Sequence, residues 1–168
     1  MSYSRTQKIL HWVLAVLILL WLFVSGEGVE GAEGPDKLMA ISIHSGGALL
    51  ILALMTWRWF VRRNNPVQAL PELKSWEKTW SARIHVAFYV LVLVMVFSGI
   101  MQGVFYDQSV RLAGLVPITI SSNETMYGIF HGLHGLTATI FKVLIVLHIL
   151  AALKHQFIDR KPFIQRML

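Results

Sequence analysis

The chain contains no cysteine, which removes disulfides, iron–sulfur clusters and covalent CxxCH haem attachment at once. Charge is scarce too: Asp, Glu, Lys and Arg make up 14% of the 168 residues, against about a quarter in soluble globular proteins. What fills the chain is apolar. A hydrophobic fraction of 55% and a mean hydropathy of +0.60 mark an integral membrane protein. The apolar stretches leave no room for a separate soluble domain, so residues 1–168 read as one membrane domain. A net charge of +6 would suggest nucleic acid in a soluble protein. Here the basic residues flank apolar runs and report topology, and no nucleic-acid partner is expected.

Four apolar stretches, at about residues 9–25, 38–60, 84–104 and 129–153, are long enough to cross a bilayer. The expected fold class is all-α integral membrane: a four-transmembrane-helix bundle with short interfacial segments. Met1 to Lys8 is a short basic leader carrying Arg5 and Lys8, and Ile9 to Ser25 follows as an apolar run interrupted only by His11. A cleaved signal peptide has a similar layout, but its apolar core is shorter. A retained first helix is expected. Gly26 to Lys37 reads as a glycine-rich acidic loop, with Pro35 and Asp36 opening the next helix. His44 is followed by Ser45, Gly46 and Gly47, a small-residue patch that admits a flat bulky group or another helix.

The middle segment, Arg58 to Arg83, is polar and basic, with Trp57, Trp59, Trp76 and Trp80 placed as an interfacial aromatic belt. Ser75 to Lys78 is expected to open a short interfacial helix after Pro66 and Pro71. Phe105 to Tyr127 is a loop with few charges. Lys and Arg thus gather at both termini and in the middle segment, which places these on the cytoplasmic side of a bilayer.

The histidines carry the functional signal. Ionisable side chains within a span are costly and usually face a protein interior. The stretch from His131 to His155 holds His131, His134, His148 and His155. At about 100° and 1.5 Å per residue, His148 lies about 40° round the helix from His134 and about 21 Å along it, with His155 about 20° further round. Two imidazoles at two depths on one helix fit a pair of metal centres. Sorted by depth, His11, His85, His148 and His155 lie toward the cytoplasmic side, and His44, His131 and His134 toward the outside. His44 and His134 are expected to pair. The partner of His148 is His11 or His85, and spacing leaves both open. His131, about 60° off the face of His134, is a loop or propionate contact. No carboxylate lies in the spans to complete a three-ligand zinc site, whereas haem needs only two ligands and an apolar pocket. Arg58, Arg83 and Lys154 stand where they would pair with inner propionates. Lys142 sits mid-span, about 80° from His134, and is expected to snorkel toward an interface.

The series Lys8-Ile9-Leu10-His11-Trp12, Ile43-His44-Ser45-Gly46, Arg83-Ile84-His85, His134 and Val146-Leu147-His148 through His155 resembles the bacterial cytochrome b561 family over almost the whole chain. The resemblance implies a four-helix protein of the bacterial inner membrane with two noncovalent haem b groups, exchanging electrons with ubiquinone. It implies His11 and His148 as the inner axial pair and His44 and His134 as the outer one. It leaves His85 and His155 as quinone-site candidates. One type in the family oxidises superoxide and reduces ubiquinone. Glu27, Glu30, Glu33 and Asp36 in the first outer loop favour a basic soluble redox partner over that anion. Two other functions share the same features: a membrane anchor and electron conduit for a soluble dehydrogenase or hydrogenase, and a non-redox transporter.

Overall fold

The computed structural model describes residues 3–168; Met1 and Ser2, the start of the basic leader, lie outside the described residues. Four helical stretches are long and apolar enough to cross a membrane: Arg5–Gly31, Gly34–Asn64, Ser75–Phe105 and Glu124–Ile158. A helix of 31 residues is about 46 Å long against a hydrocarbon core of about 30 Å. Each span therefore projects into the headgroup region. The two ends of the described residues and the segment between the second and third spans lie at one end of the bundle, called the near end below; the other is the far end.

The first span has three parts. Helix α1 (Arg5–Leu20) is opened by a capping box, in which Ser4 Oγ accepts from Gln7 N and Ser4 N donates to Gln7 Oε1 at 2.9 Å. A π-helical turn, Trp21–Ser25, follows, and α2 (Gly26–Gly31) completes the span. The glycine-rich segment expected as a loop is thus mostly helical. A helix already nucleated by a largely apolar run, Ile9 to Ser25, extends through glycines at a cost of only about 1 kcal/mol each. The chain turns between Gly31 and Gly34, where Gly34 takes φ +54°, and Pro35 then opens α3 (Gly34–Asn64).

Helix α4 (Ser75–Phe105) is continuous, so no separate interfacial helix precedes the third span. Ser75 to Lys78 form its first turn, held by Glu77, whose carboxylate accepts from Lys74 N at 2.8 Å. The loop beyond Phe105 carries a two-strand hairpin, β1 (Arg111–Leu112) with β2 (Val116–Pro117), an addition to the all-α expectation. Its turn rests on α3, where Ala113 N donates to Ser45 Oγ at 2.9 Å. Helix α5 (Glu124–Leu153) is capped by Asn123 and ends in a second π-helical turn, Lys154–Ile158.

Helix α5 packs along α4, α4 against α3, and α3 against α1. Among the described residues no comparable backbone packing joins α5 to α1 or α3. The core is correspondingly thin: Leu14, Leu22, Ile51, Met55, Val92 and Phe141. Apolar side chains such as Val86, Val90, Leu93 and Phe97 face outward, as they do when lipid is the solvent. Trp57, Trp59, Trp76 and Trp80 are exposed at the near end, and the Arg63 and Arg83 guanidinium groups lie over Trp59 and Trp80. That is the interfacial belt.

The contact between α1 and α3 depends on Gly47, because the Trp21 indole lies where a Cβ would stand. Gly47→Ala forces the indole out of its seat, an overpacking cost of about 1–3 kcal/mol. The expected result is a lower melting temperature in detergent, whereas Gly46→Ala, whose Cβ would meet only Ala113 at 3.5 Å, stays near wild type.

Candidate functional site

Histidines from different helices meet at two depths. At the far end the rings of His44 (α3) and His134 (α5) are 6.3 Å apart between centroids. At the near end the rings of His11 (α1) and His148 (α5) are 6.4 Å apart. Two metal–imidazole bonds of about 2 Å each, plus the ring radii, separate ring centres by about 6 Å when one metal ion lies between them. Both pairs have that spacing, and all four rings are half-buried.

The far pair borders an apolar cleft enclosing about 440 Å³, its open mouth included, lined by Trp21, Leu22, Ile51, Met95 and Phe141 among others. The cleft lies where α5 stands off from α1 and α3. Around His44, Trp21 Nε1 donates to the His44 carbonyl at 2.9 Å and Ser25 Oγ lies 2.9 Å from His44 Nδ1. Both partners come from the π-helical turn, whose extra residue aims Trp21 and Ser25 at the same turn of α3. His134 Nδ1 lies 3.0 Å from Ser98 Oγ, on a residue with no exposed surface. Sequence reasoning missed Ser25 and Ser98. A serine inside each apolar run was the only signal.

At the near end His148 faces two histidines, since His85 (α4) lies 5.7 Å from it between centroids. The His85 ring is committed differently: its Nδ1–H donates to the Ser81 carbonyl at 2.6 Å, which leaves Nε2 as an acceptor in the neutral ring. Arg58 donates to the Gln7 carbonyl at 3.0 Å, one helical turn before His11. Beside it the Tyr89 hydroxyl is buried, within reach of the Arg58 guanidinium. A guanidinium with a buried hydroxyl beside it fits a carboxylate-bearing group. The other two basic residues read as propionate partners are engaged elsewhere, Arg83 over Trp80 and Lys154 with Asp159 at 2.7 Å.

His131, expected as a loop or propionate contact, meets neighbouring helix residues. It lies on α5, stacks on Tyr127 and is 3.1 Å from Gln102 Oε1. Lys142 Nζ sits 5.2 Å from the centroid of the Phe23 ring, a cation–π contact reached by a side chain that rises toward the far end. His155 is tied into the near-end tail. Its Nδ1 lies 2.7 Å from Asp159 Oδ2, its ring stacks on Phe163, and Glu77 stands close by. The tail is anchored in turn by Lys161 to the Glu72 carbonyl and by the Trp12 indole to the Met167 carbonyl.

The hydrogen bonds from Lys154 and His155 hold the Asp159 carboxyl below its usual range. A depressed carboxyl contributes stability at every pH above the ordinary carboxylate value and loses it as pH falls through its own lowered value. Melting of the wild type in detergent should therefore steepen below about pH 4. Asp159→Asn should flatten that acid limb, and identical limbs in both proteins would show that the cluster contributes nothing to it.

The model of the family described as prokaryotic cytochrome b561 matches residues 2–168. Two proteins of Escherichia coli (strain K12) are similar over 99% of the chain. Cytochrome b561 homolog 1 is 22% identical over 169 residues, 96% of its own length. Cytochrome b561 homolog 2 is 26% identical over 176 residues, 90% of its length.

Proposed function

The chain belongs to the prokaryotic cytochrome b561 family, whose members are haem-dependent membrane electron carriers, and on that premise we propose that it is a two-haem, quinone-linked conduit across the bacterial inner membrane. The observation that carries the reading is the pair of interhelical histidine contacts, at 6.3 and 6.4 Å, at opposite ends of one helix. His44 and His134 would hold the far haem b, His11 and His148 the near one. Each haem supplies reversible one-electron chemistry at its iron. Support for His11 over His85 comes from geometry: the His11 contact repeats the far-pair spacing, whereas His85 is closer and bonded to its own helix.

The rest of the site divides into binding and proton handling. Leu22, Ile51 and Phe141 keep the far cleft apolar and exclude water from it. Arg58 and the Tyr89 hydroxyl are the donors available to a propionate at the near end. Quinone reduction consumes two electrons and two protons. His85 Nε2 and the His155–Asp159 pair are the groups placed to orient a quinone headgroup and to pass protons to it from the near end. The positive-inside rule puts that end, with both termini, in the cytoplasm.

Electrons would then enter at the far end. Glu27, Glu30, Glu33 and Asp36 cluster there on α2 and the start of α3. This field concentrates a cationic soluble donor and disfavours superoxide, so a basic redox partner ranks first as the donor.

Substitution of the histidines tests the assignment. His44→Ala and His11→Ala should each remove one of two haems and leave the other spectroscopically normal. His85→Ala should retain both and slow reoxidation of the dithionite-reduced protein by a ubiquinone analogue about 10²-fold or more. Loss of a haem in His85→Ala would make it the near ligand instead.

A further inference from the structure

The two histidine pairs are held by different means, and the difference lies in residues outside the pairs. At the far end each ring has a serine partner: His44 Nδ1 is 2.9 Å from Ser25 Oγ and His134 Nδ1 is 3.0 Å from Ser98 Oγ. The Ser98 hydroxyl spends its one hydrogen on the Val94 carbonyl at 2.7 Å, so it must accept from the His134 ring. A ring bound to metal through Nε2 carries its proton on Nδ1, so Ser25 accepts in the same way from His44. At the near end neither His11 nor His148 makes a hydrogen bond among the described residues. The rings beside them are Trp12 at His11, and Phe88 and His85 at His148.

We propose that Ser25 and Ser98 are positioning residues of the far centre, which fix Nε2 of each ring toward the other and lower that centre's reduction potential below that of the near one. The proposal rests on the paired-histidine reading above. Accepting Nδ1–H increases the basicity of the imidazole as a ligand and favours the oxidised iron. The near rings lack any such acceptor, and the Arg58 guanidinium close to them favours the added electron. One electron leaves the far centre as it is oxidised and one reaches the near centre as it is reduced. No bond or proton changes at either serine. The asymmetry thus sets a downhill direction from the far end to the near end.

The π-helical turn makes this arrangement possible on the first span. It carries Trp21 and Ser25 together, so one fixes the backbone of His44 while the other fixes its ring. On α4 the fixed point is burial: Ser98 has no exposed surface, and Gly99 beside it leaves 3.5 Å between its would-be Cβ and His134 Cε1.

Spectroelectrochemical titration of the purified holoprotein, with electron paramagnetic resonance of each component, tests the proposal. The wild type should show two one-electron components, the lower being the one that His44→Ala removes. Ser25→Ala should raise that component up to tenfold in its reduction equilibrium, or 59 mV for one electron, and shift its low-spin signal, while the other component stays in place. Ser25→Thr keeps the hydroxyl and should restore the wild-type value; Ser25→Cys, with a weaker acceptor of similar size, should fall between them. Should Ser25→Ala fail to bind haem, the threonine and cysteine variants still decide. The proposal is overturned if the lower component belongs to His11 and His148, if the hydroxyl-free variants leave both potentials unchanged, or if Ser25→Thr shifts as far as Ser25→Cys. A wild type without haem would instead sink the ligand reading itself.

Discussion

An imidazole inside a bilayer has no water to bond, so each of its nitrogens must find a partner in the protein or in what the protein holds. The bundle depends on how that demand is met. Ser25, Ser98 and the Ser81 carbonyl each take one nitrogen of a buried ring. Helix α5 packs along α4 and stands off from α1 and α3, which leaves an open seam beside His44 and His134. A core of only a few residues follows from the same arrangement, because the middle of the bundle is where the seams lie.

The two ends are built for different tasks. At the far end a hairpin rests on α3, acidic residues lie on α2 and at the start of α3, and each histidine ring has a serine hydroxyl beside it. The near end has His11 and His85 both beside His148, an arginine, and a tail that is tied back across α1 and the segment before α4. Asp159, at 23% side-chain exposure, links the His155 ring to water at the near end.

Much of this was legible in the sequence because periodicity and depth are properties of residue number. The placement of His44 opposite His134, and of His11 and His85 both within reach of His148, follows from 100° and 1.5 Å per residue. So do the four spans. Their ends were not legible, since capping decides them: Glu77 reaches Lys74 N and draws α4 back to Ser75, where a separate interfacial segment had been expected. The glycines at 26–31 likewise remain helical because a nucleated helix precedes them. The π-helical turn was the largest omission. One extra residue at Trp21–Ser25 leaves no mark on an apolar pattern, yet it decides which side chains reach His44. The patch at Gly46 and Gly47 does admit a flat group, and that group is the indole of Trp21.

The central claim is that the two histidine pairs each hold one haem b. Haem content of the purified wild-type protein, by pyridine haemochrome against protein concentration, together with its oxidised and reduced visible spectra, tests it most directly. The account predicts two low-spin b-type haems per chain. One haem per chain, or a colourless protein, would contradict it.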